Sequence, residues 1–389
     1  MSDVESLDGN RLVLLRNGAD FFPALRRAID AAQKLVHIET YIFAEDESGQ
    51  MIANALMDAA RRGVVTRVII DGFGCKRFLF ELRERLMHVG VEVLLYRPDI
   101  TPWDFRRSRL RRLHRKIAVV DGRIGFVGGI NIIDDMHTPN QTPPRHDYAV
   151  QIEGPLLGPL LEEANLLWRI VAWANFRQQW MYRDDVPVDT APKGTQRAAL
   201  VVRDNLRHRS DIEDAYLEAI NGAREEIILA CPYFFPGSGF RHALMDASAR
   251  GVRVVVLLQA RVEYALMHYA SRALYGALLE NGVEIFEYNR SFLHAKVAVI
   301  DGRWATVGSS NIDPFSLLLA REANVVVEDT SFAQELRVSL LELMQRGAMP
   351  VAREKWRYKP LGLRIRIWIA YGVSRFLIGW FGYAGWHRD

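Results

Sequence analysis

The sequence predicts an α/β protein of two tandem homologous domains, each a mixed β-sheet flanked by helices, the two related by a pseudo-two-fold axis. Three observations predict it. Runs rich in Val, Ile and Tyr alternate with runs whose apolar residues recur three and four apart, the strand and helix periods respectively. The order of these runs occurs twice along the 389 residues, and several words recur with it, among them "ALMDA", "RGV" and "GVE". In each half, an Asp-Gly pair separates two apolar runs ("VVDGRI", "VIDGRW"), a hairpin signal that makes part of each sheet antiparallel.

The elements follow in order. The first half reads helix 19–34, strand 35–43, helix 49–63, strand 66–72, a helix near Phe78 to Val89, and strand 91–97. The second reads helix 211–223, strand 226–235, helix 240–251, strand 252–259, a helix from Leu266 to Leu279, and strand 283–289. Each series ends in a closely similar segment, "LHRKIAVVDGRIGFVGGIN" and "LHAKVAVIDGRWATVGSSN". The stretch "YRDDVPVDTAPKGTQR" between them is rich in Asp, Pro and Gly and reads as a linker. The divisions are 1–182 for the first domain, 183–197 for the linker, 198–349 for the second domain and 350–389 for a basic, aromatic and apolar tail.

Hydrophobic residues make up 49% and charged residues 25% of the chain, enough apolar material for a large core. The net charge of +3 gives no global field toward nucleic acid or membrane, so any electrostatic recognition must be local. Cys75 and Cys231 have neither disulfide-framework nor metal-ligand spacing and read as buried thiols, which suits a reducing compartment. The polar start, "MSDVESLDGN", has no signal-peptide pattern.

The chemistry lies in the repeated segments. His114 and His294 are 180 residues apart. The same offset relates Lys116 to Lys296, Asp121 to Asp301, Gly128 to Gly308 and Asn131 to Asn311. On a strand, residues two apart share a face, so each His and Lys should project together. Brought to one point by a pseudo-two-fold axis, two imidazoles and two ammonium groups suit an anionic oxygen on phosphorus. Imidazole, with an unperturbed pKa of about 6.5, can act as nucleophile, base or acid near neutral pH.

These two segments resemble the signature His-x-Lys-x-x-x-x-Asp motifs of the phospholipase D superfamily. Further words, "YFFPG", "DYAVQIEGP", "WATVGSSNIDPFSL" and "EANVVV", resemble bacterial cardiolipin synthases, the B type most, over about Arg11 to Gln345. The resemblance implies double displacement through a phosphohistidine, with His114 as nucleophile and His294 as acid and base. It implies charge neutralisation by Lys116 and Lys296 and hydrogen bonds from Asn131 and Asn311. Each histidine needs a carboxylate to fix its tautomer, and Asp147 and Glu322 stand at the starts of apolar strands where the family carries such acids. Gly128, Gly129, Gly308 and Ser309 are small enough for backbone and ligand to approach closely. Asp121 and Asp301 belong to the motif but sit in hairpin turns, where a structural role is expected. His137 and His146 lie in a Pro-rich loop that reads as a cover over the site or a simple surface loop, and His208, His242 and His268 have no partner pattern. No cofactor or metal is needed, since the lysines supply positive charge.

Two features bear on lipid. Arg106, Arg107, Arg109, Arg111 and Arg112 lead into His114 and could hold anionic headgroups. In the tail, Arg357, Arg364, Tyr371, Arg375 and Gly382 trace a narrow polar line along an otherwise apolar helix, and Trp368, Trp380, Trp386 and Tyr383 suit a membrane interface. A charge at mid-bilayer costs about 2.5–3.5 kcal/mol, so a helix lying in the interface is expected rather than one that spans, the alternative being packing on the protein's own core.

The resulting expectation is a cardiolipin synthase acting on phosphatidylglycerol, with phosphatidylethanolamine as a second acceptable phospholipid. It would bind peripherally at the cytoplasmic side of the inner membrane, without nucleic acid or an obligate protein partner. The rivals are a hydrolytic phospholipase D or other phosphodiesterase, and a non-catalytic membrane-binding protein. Water must be kept from the phosphohistidine, and the loop from Asp134 to Arg145 and the tail are candidates for that task.

Overall fold

The computed structural model describes residues 5–75, 81–97, 111–138, 142–181, 186–204, 208–262, 265–313, 320–358 and 360–382. Strands β1 (Leu7–Arg16), β2 (Leu35–Thr40), β3 (Val65–Asp71), β4 (Glu92–Tyr96), β5 (Arg112–Leu113), β6 (Lys116–Val120), β7 (Ile124–Gly128) and β8 (Tyr148–Glu153) belong to the first half. Its helices are α1 (Asn17–Ala31), α2 (Glu47–Arg61), α3 (Glu81–His88) and α4 (Leu157–Ala174). The second half contains β9 (Gln196–Arg203), β10 (Glu226–Cys231), β11 (Arg253–Gln259), β12 (Glu284–Tyr288), β13 (Val297–Ile300), β14 (Trp304–Gly308), β15 (Ala320–Glu328) and β16 (Ala348–Pro350). Its helices are α5 (Asp211–Gly222), α6 (Ser238–Ala249), α7 (Ala265–Arg272), α8 (Tyr275–Glu280), α9 (Thr330–Gly347), α10 (Arg353–Arg357) and α11 (Leu361–Gly382).

In each half, three parallel strands (β2, β3, β4 and β10, β11, β12) join an antiparallel group through β6 or β13. The registers superimpose. Val36 faces Val120 as Ile227 faces Ile300, and Gly128 faces Ala149 as Gly308 faces Asn324. What the sequence does not announce is that the two sheets join edge to edge. Antiparallel pairing of β1 with β9 makes one 16-stranded mixed sheet of the described residues. A shared apolar core lies across this seam, uniting Val119, Val127 and Val150 with Val299, Val307 and Val325 under α4 and α9. Two further cores, one per half, fill the space under α1 and α2 and under α5 and α6.

The helix expected from Leu266 to Leu279 is two helices, α7 and α8, which meet at Ala273 and Leu274. Residues 186–195 pack on the first half: Asp189 N–H donates to the Gly122 carbonyl at 2.9 Å and Lys193 N–H to that of Gly9 at 2.9 Å. α11 combines the two readings of the tail. Ile367, Ala370 and Ser374 are buried, and Tyr371 packs its ring on Phe235 at 5.7 Å. Leu361, Ile365, Trp368 and Ile369 face outward. Among the described residues no helix is long and apolar enough to cross a membrane. Tyr383 and Trp386 lie outside the described residues.

Candidate active site

The two histidine segments are brought together by strands that cross between halves. β5 runs parallel to the start of β15, and the His114 N–H donates to the Arg321 carbonyl at 3.0 Å. In the second half His294 N–H donates to the His146 carbonyl, and His146 N–H to that of Phe292, each at 2.8 Å. The N–H before each histidine is also held by a side chain at the end of the adjacent parallel sheet. Asp71 accepts from Leu113 at 2.8 Å, and the Gln259 amide oxygen accepts from Leu293 at 3.1 Å. Each histidine therefore stands where its own half ends and the other begins.

β6 begins at Lys116 and β13 at Val297, so both histidines precede their strands instead of lying on them. The strand alternation that predicted a shared face does not reach them. Contact between His and Lys is made by a turn-back instead: Lys116 Nζ donates to the His114 carbonyl at 2.5 Å, and Lys296 Nζ donates to the His294 carbonyl.

The carboxylates are exchanged between halves. His114 Nδ1 lies 3.0 and 3.1 Å from the two oxygens of Glu322, and His294 Nδ1 lies 2.6 Å from Asp147 Oδ2. An ionised carboxylate only accepts, so each Nδ1 carries a hydrogen and each Nε2 keeps its lone pair. Lys296 Nζ is also 2.8 Å from His294 Nδ1, but a nitrogen already donating to Asp147 cannot accept from it, so the lysine serves the His294 carbonyl and Asp147, 3.7 Å away.

Burial shifts these groups together. It lowers His114, with Glu322 opposing and Lys116 reinforcing the shift, and pushes His294 down to about 3, with Lys296 adding to the effect. Burial likewise lowers Lys116 to about 7 and lowers Lys296. Asp147 moves the other way from what burial favours: Lys296 and His294 hold it below the usual carboxylate range. Burial and the neighbouring lysines favour the unprotonated form of both imidazoles, and an arriving anion would favour the return of protons to this cluster.

The other motif residues support this arrangement. Asp121 accepts from the N–H groups of Gln33, Lys34 and Leu35, and Asp301 from those of Arg224, Glu225 and Glu226, all within 3.2 Å. Both sit at positive φ (53° and 50°), the hairpin geometry their Asp-Gly pairs demand. Asn131 is buried and accepts from the Ile42 N–H at 3.1 Å; Asn311 is buried too. The small residues make room mainly for neighbouring strands. A Cβ on Gly128 would meet the Tyr148 carbonyl at 2.5 Å, one on Gly129 the Asp147 carboxylate at 2.2 Å, and one on Gly308 the Asn324 side chain at 2.1 Å. Ser309 differs from what its size suggested, since its hydroxyl donates to Glu322.

Several residues close to the histidines escaped the sequence reading. Tyr41 places its ring 5.1 Å from that of His114 and 5.6 Å from Lys116 Nζ. Arg115 is buried between the two motif residues and pairs with Glu39 (Nη2 to Oε1, 3.0 Å) and Glu163 (Nη1 to Oε2, 3.1 Å). Glu39 also contacts His37 at 3.1 Å. The signal was present in "VHIET", where polar residues alternate inside a strand buried on both faces. Asp71 lay unremarked at the end of the strand read over 66–72. Of the basic cluster, Arg106, Arg107 and Arg109 lie outside the described residues, and Arg112 stacks over Phe73 at 5.1 Å. The loop after Asp134 reaches the second half, where Thr142 N–H donates to the Arg290 carbonyl at 3.3 Å and Arg145 lies over Phe292 at 5.0 Å. His137, His208, His242 and His268 take no part in the paired His–Lys contacts, while the backbone of His146 does.

Residues 25–142 and 216–344 match the family described as cardiolipin synthase, PLD-like domain. Over 335 residues the chain is 41% identical to cardiolipin synthase B of Escherichia coli K12, covering 86% of this chain and 80% of that one. Over 377 residues it is 31% identical to the cardiolipin synthase of Geobacillus kaustophilus, covering 95% and 72%. The fold also resembles the crystal structure of phosphatidylserine synthase from Haemophilus influenzae, with a TM-score of 0.71 over 96% of this chain and 97% of that one, at 12% identity.

Proposed function

The chain belongs to the cardiolipin synthase family of phospholipase D-like phosphatidyltransferases, and on that premise we propose that it moves a phosphatidyl group from one phosphatidylglycerol to a second, forming cardiolipin and releasing glycerol. The observation that carries the proposal is the exchange of carboxylates: each imidazole is held in one tautomer by an acid from the opposite half, so the two act as one site.

The steps follow from that geometry. His114 Nε2 attacks the phosphorus, and the bond from phosphorus to the glycerol headgroup breaks as His294 Nε2–H gives its proton to the leaving oxygen. The headgroup hydroxyl of the second phosphatidylglycerol then loses its proton to His294 and attacks the phosphohistidine, and the N–P bond breaks. Lys116 and Lys296 stabilise the charge on the phosphoryl oxygens, and Asn131 and Asn311 complete the lining. Because both imidazoles are neutral at rest, His294 must gain its proton as the anionic substrate binds. The choice of His114 as nucleophile rests on the family resemblance. Peripheral attachment to the membrane belongs to the same proposal: Trp368 is 78% exposed on α11, beside Ile365 and Ile369, and Arg364 and Arg366 stand on the same exposed stretch.

The test is product analysis by mass spectrometry after incubation with phosphatidylglycerol in detergent micelles. The wild type is expected to give cardiolipin and glycerol. His114→Ala and His294→Ala should each lose a thousandfold or more, on the order seen when a nucleophile or its paired acid–base is removed. Phosphatidic acid as the main product would make the protein a hydrolase, and turnover that survives both substitutions would overturn the mechanism.

A further inference from the structure

α4 has an outer face unlike that of a solvated helix. Leu166, Ile170 and Trp173 recur four and three apart on one side and are 43%, 44% and 65% exposed. Two residues past the helix is Phe176, 90% exposed. The opposite face of the same helix is fully buried, so the outward apolar row is not left over from an incomplete core.

The backbone at Phe176 points to a use for its ring. Arg177 N–H donates to the Ala172 carbonyl and Phe176 N–H to that of Trp173, the two bonds of a Schellman cap. Phe176 is the residue of that cap which must be left-handed, with φ 56°. Glycine is the residue that occupies this position without a steric cost. Here a bulky aromatic stands in the strained conformation and spends its side chain on solvent. At 90% exposure the ring adds little packing among the described residues.

This face lies at the active-site end of the molecule. The Asn175 side chain, in the same cap, donates to the Leu95 carbonyl at the end of β4. The inner side of α4 shares a core with Leu113, which immediately precedes His114. At the same end of the second half, α11 packs Tyr371 on Phe235, whose N–H donates to the Ile312 carbonyl next to Asn311. Arg169 and Arg177 are exposed beside the apolar row of α4.

We propose that the outer face of α4, with Phe176 at its tip, is a membrane-docking surface for an anionic phospholipid bilayer. The aromatic and aliphatic side chains enter the interface while Arg169 and Arg177 meet the headgroups. With α11 on the second half, it seats the mouth of the site against the lipid from both sides, and so it rests on the reading of the substrate as a membrane phospholipid. The equivalent helix of the second half, α9, exposes one large apolar residue, Val338, among Glu335, Glu342 and Arg346, so no apolar row forms there and this device belongs to the first half.

The experiment compares the full chain with Phe176→Gly and with the double variant Ile170→Ser, Trp173→Ser. Sedimentation is measured with phosphatidylcholine vesicles containing or lacking phosphatidylglycerol, alongside melting temperature and turnover of a short-chain phosphatidylglycerol dispersed below its micelle threshold. Each variant is expected to partition onto phosphatidylglycerol-containing vesicles roughly tenfold less, as the loss of a buried aromatic predicts, with turnover of the dispersed substrate unchanged. Phe176→Gly should melt no lower than the wild type, which separates lost docking from lost folding. Unaltered partition in both variants would overturn the proposal. A wild-type dimer that the variants convert to monomer would assign the face to a second copy of the chain and overturn it equally. If no protein turns over the dispersed substrate, the reading of the reaction fails while the vesicle result still decides the surface.

Discussion

The two halves share a sheet register and a set of site residues, yet they are built differently beneath the site. In the first half the strand face under α4 carries a buried ionic network: His37, Glu39, Arg67, Glu92 and Arg115. The sheet registers place Ile228, Ala230, Val255, Glu284 and Ala295 at the matching positions of the second. The first four first-half side chains thus correspond to apolar or, for Glu284, partly exposed counterparts, and the buried Arg115 corresponds to a buried alanine. The difference teaches that the geometry of the candidate site is set by the crossed strands and the exchanged carboxylates, which the halves share, and not by the kind of core under them.

The largest effect should come from uncoupling the exchanged carboxylates. Asp147→Asn and Glu322→Gln keep size and remove the charge that holds each Nδ1–H, and turnover should fall about a thousandfold or more in either, as when an amide replaces the acid of a catalytic triad. The comparison is sharpened by trapping the covalent intermediate from substrate labelled at phosphorus. If His114 is the nucleophile, Asp147→Asn leaves His114 and its Glu322 partner intact while impairing both proton transfers of His294, so whatever label forms should sit on His114. Glu322→Gln should prevent the label from forming. Label on His294 in Glu322→Gln would reverse the roles of the halves.

Next in size is the network around Arg115. Removing one partner of a buried pair leaves the other charged and unsolvated, so Arg115→Ala should destabilise the protein by about 3–5 kcal/mol in urea denaturation. Copying the second half by His37→Ile, Glu39→Ala and Arg115→Ala together removes the stranded charge, and most of that loss should return. A triple variant as unstable as the single one would break the comparison, because the first half would then need its charges for something the second does without.

Much of this was legible in the residues because the duplication exposed it. A fixed offset of 180 selected His114, Lys116, Asn131 and their partners without any knowledge of the sheet. Asp147 and Glu322 were found as acids opening apolar strands, but their exchange was not readable, since it depends on β5 pairing with β15 and on the bridge between His146 and Leu293. Those are contacts between distant segments that no local pattern encodes. β1 and β9 were not legible as the seam for the same reason, and the long helices α4 and α9 carry no repeated word to mark them as equivalent. Arg115 sat in plain sight inside the first motif, but its value comes from Glu39, 76 positions earlier.

The smallest expected effect tests how finely the halves have diverged. Position 129 is glycine and position 309 serine, and each adjoins a carboxylate of its own half. Aspartate is the shorter acid, and it lies so near Gly129 that a Cβ would meet its oxygen at 2.2 Å. Glutamate is longer, and Ser309 both fits beside it and donates to it. Ser309→Gly therefore removes one hydrogen bond to a charged acceptor that keeps its contact with His114, and should cost about 1.5 kcal/mol and roughly tenfold in turnover. Gly129→Ser crowds Asp147 instead and should cost about 1–3 kcal/mol. Unfolding and turnover measured on both variants decide the point. If Gly129→Ser is the milder of the two, the carboxylate of Asp147 has room to move, and the first half holds its acid by looser rules than the 2.6 Å contact with His294 implies.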